Sequence, residues 1–145
     1  MATSYASTVV NAPADEVWAR IRDFNGLATW HSGLVATSEI EDGRSGDQVG
    51  SVRSFTLTDG THVRERLLGH SDAERSYSYN FEKTPFDVDN YHATIRVKPV
   101  TDGDRSFVEW WTTFDSDRDR VDEWTRFFAN EVFAGGLKAL ASHWG

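Results

Sequence analysis

Two full charges stand on what is otherwise an apolar hairpin face. In the stretch 49–57, Val49, Ser51, Arg53, Phe55 and Leu57 alternate onto one side, and in 61–71 Val63, Glu65 and Leu67 do the same. The connection decides whether the charges meet. A two-residue Asp59-Gly60 loop would pair Ser54 with Glu65 and mix the faces. A three-residue loop, Thr58-Asp59-Gly60, puts Gly60 at the left-handed position and pairs Leu57 with Thr61, Phe55 with Val63 and Arg53 with Glu65. Only that register keeps both faces consistent. Burying two charges costs several kcal/mol each unless their mutual geometry is good. The pair is therefore either a structural ion pair (or two residues facing water), or a polar patch set in an apolar cavity to act on a ligand. In the second case Glu65 could move protons and Arg53 could stabilise negative charge on a substrate oxygen.

Aromatic side chains surround this patch in the pattern. Tyr77, Tyr79 and Phe81 alternate on one predicted strand, Tyr91, Ala93, Ile95 and Val97 on the next, and Trp110, Thr112 and Phe114 on the last. Rings with a polar tip suit a ligand pocket, and they suit a solid core equally well. Trp111 faces the other way and is expected to be covered or partly exposed. Trp30-His31 follows a helical stretch where a connection could cap a cavity, so His31 is read as a lid or surface residue, or as a ligand contact. The Arg53/Glu65 pair argues for a void rather than a solid core, because unpaired polar capacity in a dry interior costs about 1–3 kcal/mol per group. That void is expected to reach several hundred Å³, the usual size of a small-molecule site. Its expected boundary is Arg53, Phe55, Glu65, Tyr79, Tyr91, Trp110, Phe114, Phe128 and Val132.

Other chemistries find no support. There is no cysteine, which removes disulfides and thiolate ligands. The histidines, His31, His62, His70, His92 and His143, include no pair at helical metal-ligand spacing, so no metal site is expected. No glycine-rich phosphate loop occurs. With a net charge of −8 and a pI near 5.0, the chain lacks the basic face a nucleic-acid or anionic-membrane binder needs. No run approaches the roughly 20 apolar residues of a membrane span, and the start lacks a signal-peptide pattern. A cytoplasmic protein, monomer or homodimer, is the expectation.

The elements that would position these residues follow from length and period. At 145 residues, 39 % hydrophobic and 13 % aromatic, the chain is read as one domain spanning residues 1–145. Ser4–Val10 reads as a strand. A helix of about three turns then starts at Pro13, carries Val17, Trp18, Ile21 and Phe24, and ends at Asn25-Gly26; Leu27–Trp30 continues as a short helical piece. Period-two segments near 35–41, 49–57, 61–71, 76–82, 90–99 and 106–115 are separated by turn signals. A final helix runs through Val121, Trp124, Phe127, Phe128, Val132, Phe133, Leu137, Leu140 and Trp144. Its apolar stripe changes face near Gly135-Gly136, implying either close packing with a bend or a hinge at a cavity mouth. The class is α+β, with seven antiparallel strands curled around a long helix.

The segments APADEVWARIRDFNGLATWHSGL, EDGRSGDQVGSVRSFTLTDGTHVRERLL, RSYSYNF, NYHATIRVKPV, VEWWTTFD and VFAGGLKAL resemble the START-related superfamily (SRPBCC), in its polyketide cyclase/dehydrase branch. The resemblance runs from about Ser4 to Leu140. It implies a helix-grip fold, a curved seven-stranded antiparallel sheet around a long C-terminal helix with an internal ligand cavity. The WH…GxxR…ExL…Y pattern is similar to that of the lachrymatory factor synthases, which need no cofactor. By that likeness Arg53, Glu65 and Tyr91 are the catalytic residues; Trp30, His31, Phe55, Tyr79, Phe81, Trp110, Phe114, Phe128 and Val132 are expected to contact the ligand. Ser32 departs from the Trp-His-Pro of many relatives, in the connection read as a lid. The implied function is cofactor-independent proton-transfer chemistry (cyclisation, dehydration or isomerisation) on a hydrophobic or polyketide-like small molecule. The alternative is non-catalytic binding, transport or sensing of such a molecule.

Overall fold

A computed structural model describes residues 1–145. The strands are β1 (Ala2–Val10), β2 (Val35–Ile40), β3 (Val52–Leu57), β4 (His62–Ser71), β5 (Ser76–Lys83), β6 (Asp89–Val100) and β7 (Arg105–Asp115). They form one antiparallel sheet in the order β1-β7-β6-β5-β4-β3-β2. Between β1 and β2 lie α1 (Ala14–Ile21), a 3₁₀ turn (Phe24–Gly26) and α2 (Leu27–Trp30). The chain ends in α3 (Val121–Arg126), a π-helical segment (Phe127–Ala134) and α4 (Gly135–Ala141), which run on as one rod. This is the α+β helix-grip architecture: an open curved sheet closed over a long C-terminal helix. No helix is long and apolar enough to cross a membrane.

The sheet curls because its strands are bent at several places. Ladder irregularities fall between Val35 and Thr37, Arg64 and Glu65, Leu67 and Gly69, and Asp89 and His92. An extra residue on one strand sharpens the local twist and bends the ladder. On the concave side, Tyr91, Ala93, Ile95 and Val97 of β6 are buried in strict alternation, and Val108, Trp110, Thr112 and Phe114 of β7 are buried at the same two-residue spacing. Trp111 on the convex side is half-covered by Tyr5 and by the Arg96 guanidinium, which lies 5.2 Å from a ring centroid.

Apart from small shifts at strand ends, three features differ from the sequence reading. The first helix stops at Ile21, and the Phe24 region tightens into the 3₁₀ turn, capped by the Asp23 side chain on the Asn25 amide. β3 begins at Val52 rather than at residue 49, because Gly50 takes φ +94° and turns the chain. Val49 is consequently 56 % exposed and does not share the concave face. The C-terminal rod does not bend at its glycines; Gly135 has helical φ −60° and ψ −44°. The change of apolar face is made by the π segment instead. Phe128 and Phe133 are five residues apart and both buried, the step a five-residue hydrogen-bond period brings onto one side.

The two adjacent glycines therefore play different parts. A methyl group at Gly136 would lie 2.6 Å from His31 Cδ2 and 2.8 Å from Trp110 Cζ3, whereas one at Gly135 would meet only the Asn130 carbonyl at 3.5 Å. Both rings at Gly136 are buried and cannot retreat. Gly136→Ala is expected to destabilise by about 1–3 kcal/mol through overpacking. Gly135→Ala is expected to be neutral or to stabilise by up to about 1 kcal/mol, as Ala is the better helix former. Urea unfolding of the two variants measures both.

Candidate functional site

The hairpin loop is the three-residue one. Leu57 donates to the Thr61 carbonyl at 2.8 Å and Gly60 sits at φ +92°. Arg53 accordingly faces Glu65 and Phe55 faces Val63 across the ladder. Arg53 is 0 % exposed and Glu65 4 %. Arg53 Nε donates to Glu65 Oε1 at 2.8 Å, and Nη1 donates to the Phe24 carbonyl at 3.0 Å and the Tyr77 hydroxyl at 3.4 Å. The Phe24 and Tyr79 rings flank the guanidinium at 4.0 and 4.8 Å. Nη2 lies 2.7 Å from Glu65 Oε1 but off the hydrogen-bonding direction, so its hydrogens have no in-line acceptor. Glu65 Oε2 receives no hydrogen bond from any protein donor.

These geometries set the electrostatics. Burial pushes the Glu65 carboxyl above the usual range, and Arg53 pulls it back only in part. Burial works against the Arg53 charge too, yet Glu65 and the neighbouring tyrosines hold it firmly protonated. Tyr79 and Tyr91 are raised by burial, with the Glu65 charge adding to each. Both phenols therefore keep their protons and can donate. Tyr79 accepts from the Trp110 indole at 3.0 Å, while the Tyr91 ring stacks on Phe81 at 4.1 Å and meets Phe128 at 5.1 Å.

Above the pair lies a cavity whose walls are mostly apolar. Of the sequence candidates, Arg53, Glu65, Tyr91, His31, Phe55, Tyr79, Phe81, Trp110, Phe128 and Val132 line it. Phe114 and Trp30 do not. Phe114 is shielded by Phe128, 5.3 Å away, and Trp30 lies behind His31 and Trp110 at 5.9 and 5.6 Å. Sequence reasoning missed Leu27, Leu34 and Val35 around the Trp30-His31 connection, Leu57 and Val63 on the hairpin, and Phe86 and Phe127 at the far wall. Leu57 and Val63 were visible as neighbours in the register; Phe86 was hidden behind the Thr84-Pro85 turn signal. The volume is the larger correction. The cavity holds about 30 Å³, not several hundred, because ring-on-ring contacts among Phe81, Phe86, Tyr91, Phe127 and Phe128 fill the space between sheet and helix. No group of three or more His, Asp or Glu side chains is placed to hold a metal ion.

His31 forms the roof. Its Nε2 donates to the Val132 carbonyl of the π segment at 2.7 Å, fixing the neutral tautomer, and its Nδ1 is buried without a partner. Burial lowers its pKa from the ordinary value, with the Arg53 charge acting in the same direction. A histidine kept neutral by folding contributes stability that is present above about pH 6.5 and is lost as pH falls through its lower folded value. Thermal unfolding at a series of pH values should show that loss. His31→Gln, whose amide can still reach the Val132 carbonyl, should remove that part of the pH dependence.

The chain is similar over nearly its full length to several solved structures. The protein XoxI from Bacillus cereus is 33 % identical with a TM-score of 0.88, over 99 % of this chain and 96 % of that one. A protein from Thermobifida fusca is 32 % identical with a TM-score of 0.89, over 100 % of this chain and 94 % of that one. The major latex-like protein 151 of Panax ginseng, 13 % identical with a TM-score of 0.77 over 99 % and 97 % of the two chains, shares the fold. A comparison with curated proteins gives no match. The sequence profile of one family covers residues 1–143. That match places the chain in the family described as polyketide cyclase / dehydrase and lipid transport.

Proposed function

We propose that the protein is a cofactor-independent enzyme that binds a hydrophobic small molecule above the Arg53–Glu65 pair and moves a proton on it, in an isomerisation, dehydration or cyclisation. The observation that carries this reading is Glu65 Oε2: a carboxylate oxygen with no protein donor, on a residue that lines an apolar cavity. In the carboxylate form Glu65 takes a proton from substrate carbon or oxygen. In the acid form it returns that proton to another substrate atom, or gives it to a hydroxyl that leaves as water. Its raised pKa brings the two forms closer in energy near neutral pH, which is what general acid–base catalysis needs. Arg53 Nη2 supplies a donor beside developing negative charge on a substrate oxygen, and Tyr91, two strands from Glu65 on the same concave face, supplies a second.

Ligand binding without catalysis is the second reading, favoured by the lipid transport named in the family description. Exchange of acetone methyl protons for deuterium in D₂O, followed by NMR, separates the two without knowledge of the natural substrate. The wild type should accelerate exchange, and Glu65→Gln should lower the enzyme-dependent rate by about 10²–10⁴-fold while remaining folded. A Glu65→Gln variant that exchanges at the wild-type rate contradicts the role of Glu65. No acceleration by wild type, together with a copurified compound released unchanged, would establish the binding reading.

A further inference from the structure

The pair's charges, the cavity's size and the placement of the remaining basic groups together restrict what can enter. We propose that the site, read as a Glu65-centred proton-transfer site, takes small uncharged molecules bearing a hydroxyl or carbonyl oxygen and excludes carboxylates and fused-ring compounds.

Arg53 is already opposed by Glu65, 2.7 Å away, so the cavity holds no cation left over for an anionic ligand. The other basic lining residue is His31, and its Nε2 hydrogen is committed to the Val132 carbonyl. A carboxylate entering the cavity would lose its hydration and face the Glu65 carboxylate in an apolar surrounding, where like charges repel strongly. A cation would be drawn to Glu65 but would lie against Arg53. An uncharged oxygen meets neither penalty.

The cavity also offers an acceptor without a donor, Glu65 Oε2, and a donor without an in-line acceptor, Arg53 Nη2. A hydroxyl can donate to the first and accept from the second. A carbonyl oxygen can accept from the second while its neighbouring C–H lies toward the first. The space is small as well: about 30 Å³ holds roughly two waters, which admits a ligand of only a few non-hydrogen atoms and leaves no place for a fused ring system.

Acetone and acetate are nearly isosteric and differ in charge, which makes them the direct test. Trp110 lines the cavity and its indole N–H donates to Tyr79, another lining residue, so the NMR resonance of that N–H reports occupancy. At neutral pH, acetone and propan-2-ol should shift that resonance saturably, with acetate at least tenfold weaker and 2-naphthol without saturable effect. Glu65→Gln leaves Arg53 unopposed and should narrow the acetone-over-acetate preference at least tenfold. Should that variant fail to fold, the Arg53→Met/Glu65→Leu double variant, which leaves no buried charge, should bind propan-2-ol at least tenfold more weakly than wild type. Acetate binding as tightly as acetone, saturation by 2-naphthol, or no saturable response to any neutral probe would overturn the proposal. Selective binding of neutral probes with no proton exchange would instead overturn the catalytic reading and leave the ligand class standing.

Discussion

Removing a guanidinium and a carboxylate from water costs several kcal/mol for each ion, and the attraction between them repays this only when further hydrogen bonds meet the remaining polar groups. Much of the arrangement around β3 and β4 serves that need for Arg53 and Glu65. The 3₁₀ turn supplies the Phe24 carbonyl, β5 supplies the Tyr77 hydroxyl, and four aromatic rings stand within 5.8 Å of the guanidinium carbon. The irregularity opposite Arg64 and Glu65 places the extra residue, Glu82, on β5 and bends that strand beside the carboxylate. Satisfaction is nevertheless incomplete. Both guanidinium contacts to the carboxylate go to one oxygen, and the other is left for whatever enters the cavity.

The roof is built against the same pair from the other side. A regular α-helix repeats too tightly to bring Phe128 and Phe133 to one face, and the π segment relaxes that spacing. It also presents the Val132 carbonyl to His31, which ties α2 to the C-terminal rod. Gly136 lets the rod close onto His31 and Trp110 without a side chain between. Sheet, lid and rod thus meet around a space much smaller than their curvature alone would suggest. Any larger ligand must separate the His31 connection from the rod or displace rings on the far wall.

Much of this was legible in the sequence. Gly60 and the alternation around it point to the register that opposes Arg53 to Glu65, because the competing two-residue loop mixes apolar and polar faces. The displaced stripe of the last helix announced a phase change, but period alone could not say whether a bend or a π segment would make it. Val49 read as part of the strand because alternation cannot register the positive φ of Gly50. Alternation puts Phe114 on the concave face, and position puts Trp30 beside the capping connection, but neither says what stands in front of the ring. Volume was the least legible quantity, since it depends on how many rings interlock, and that is a property of packing in three dimensions.

The central claim is that Glu65 is a buried carboxyl whose ionisation is opposed by its apolar surroundings more than Arg53 favours it. Carbon-13 NMR titration of protein labelled at the glutamate side-chain carboxyl carbon, with Glu65 assigned by difference against Glu65→Gln, measures this directly. The account expects Glu65 to titrate above the ordinary glutamate range, apart from the exposed glutamates. A Glu65 midpoint at or below that range would mean that the ion pair dominates, leaving a structural bridge in place of a proton-transfer group.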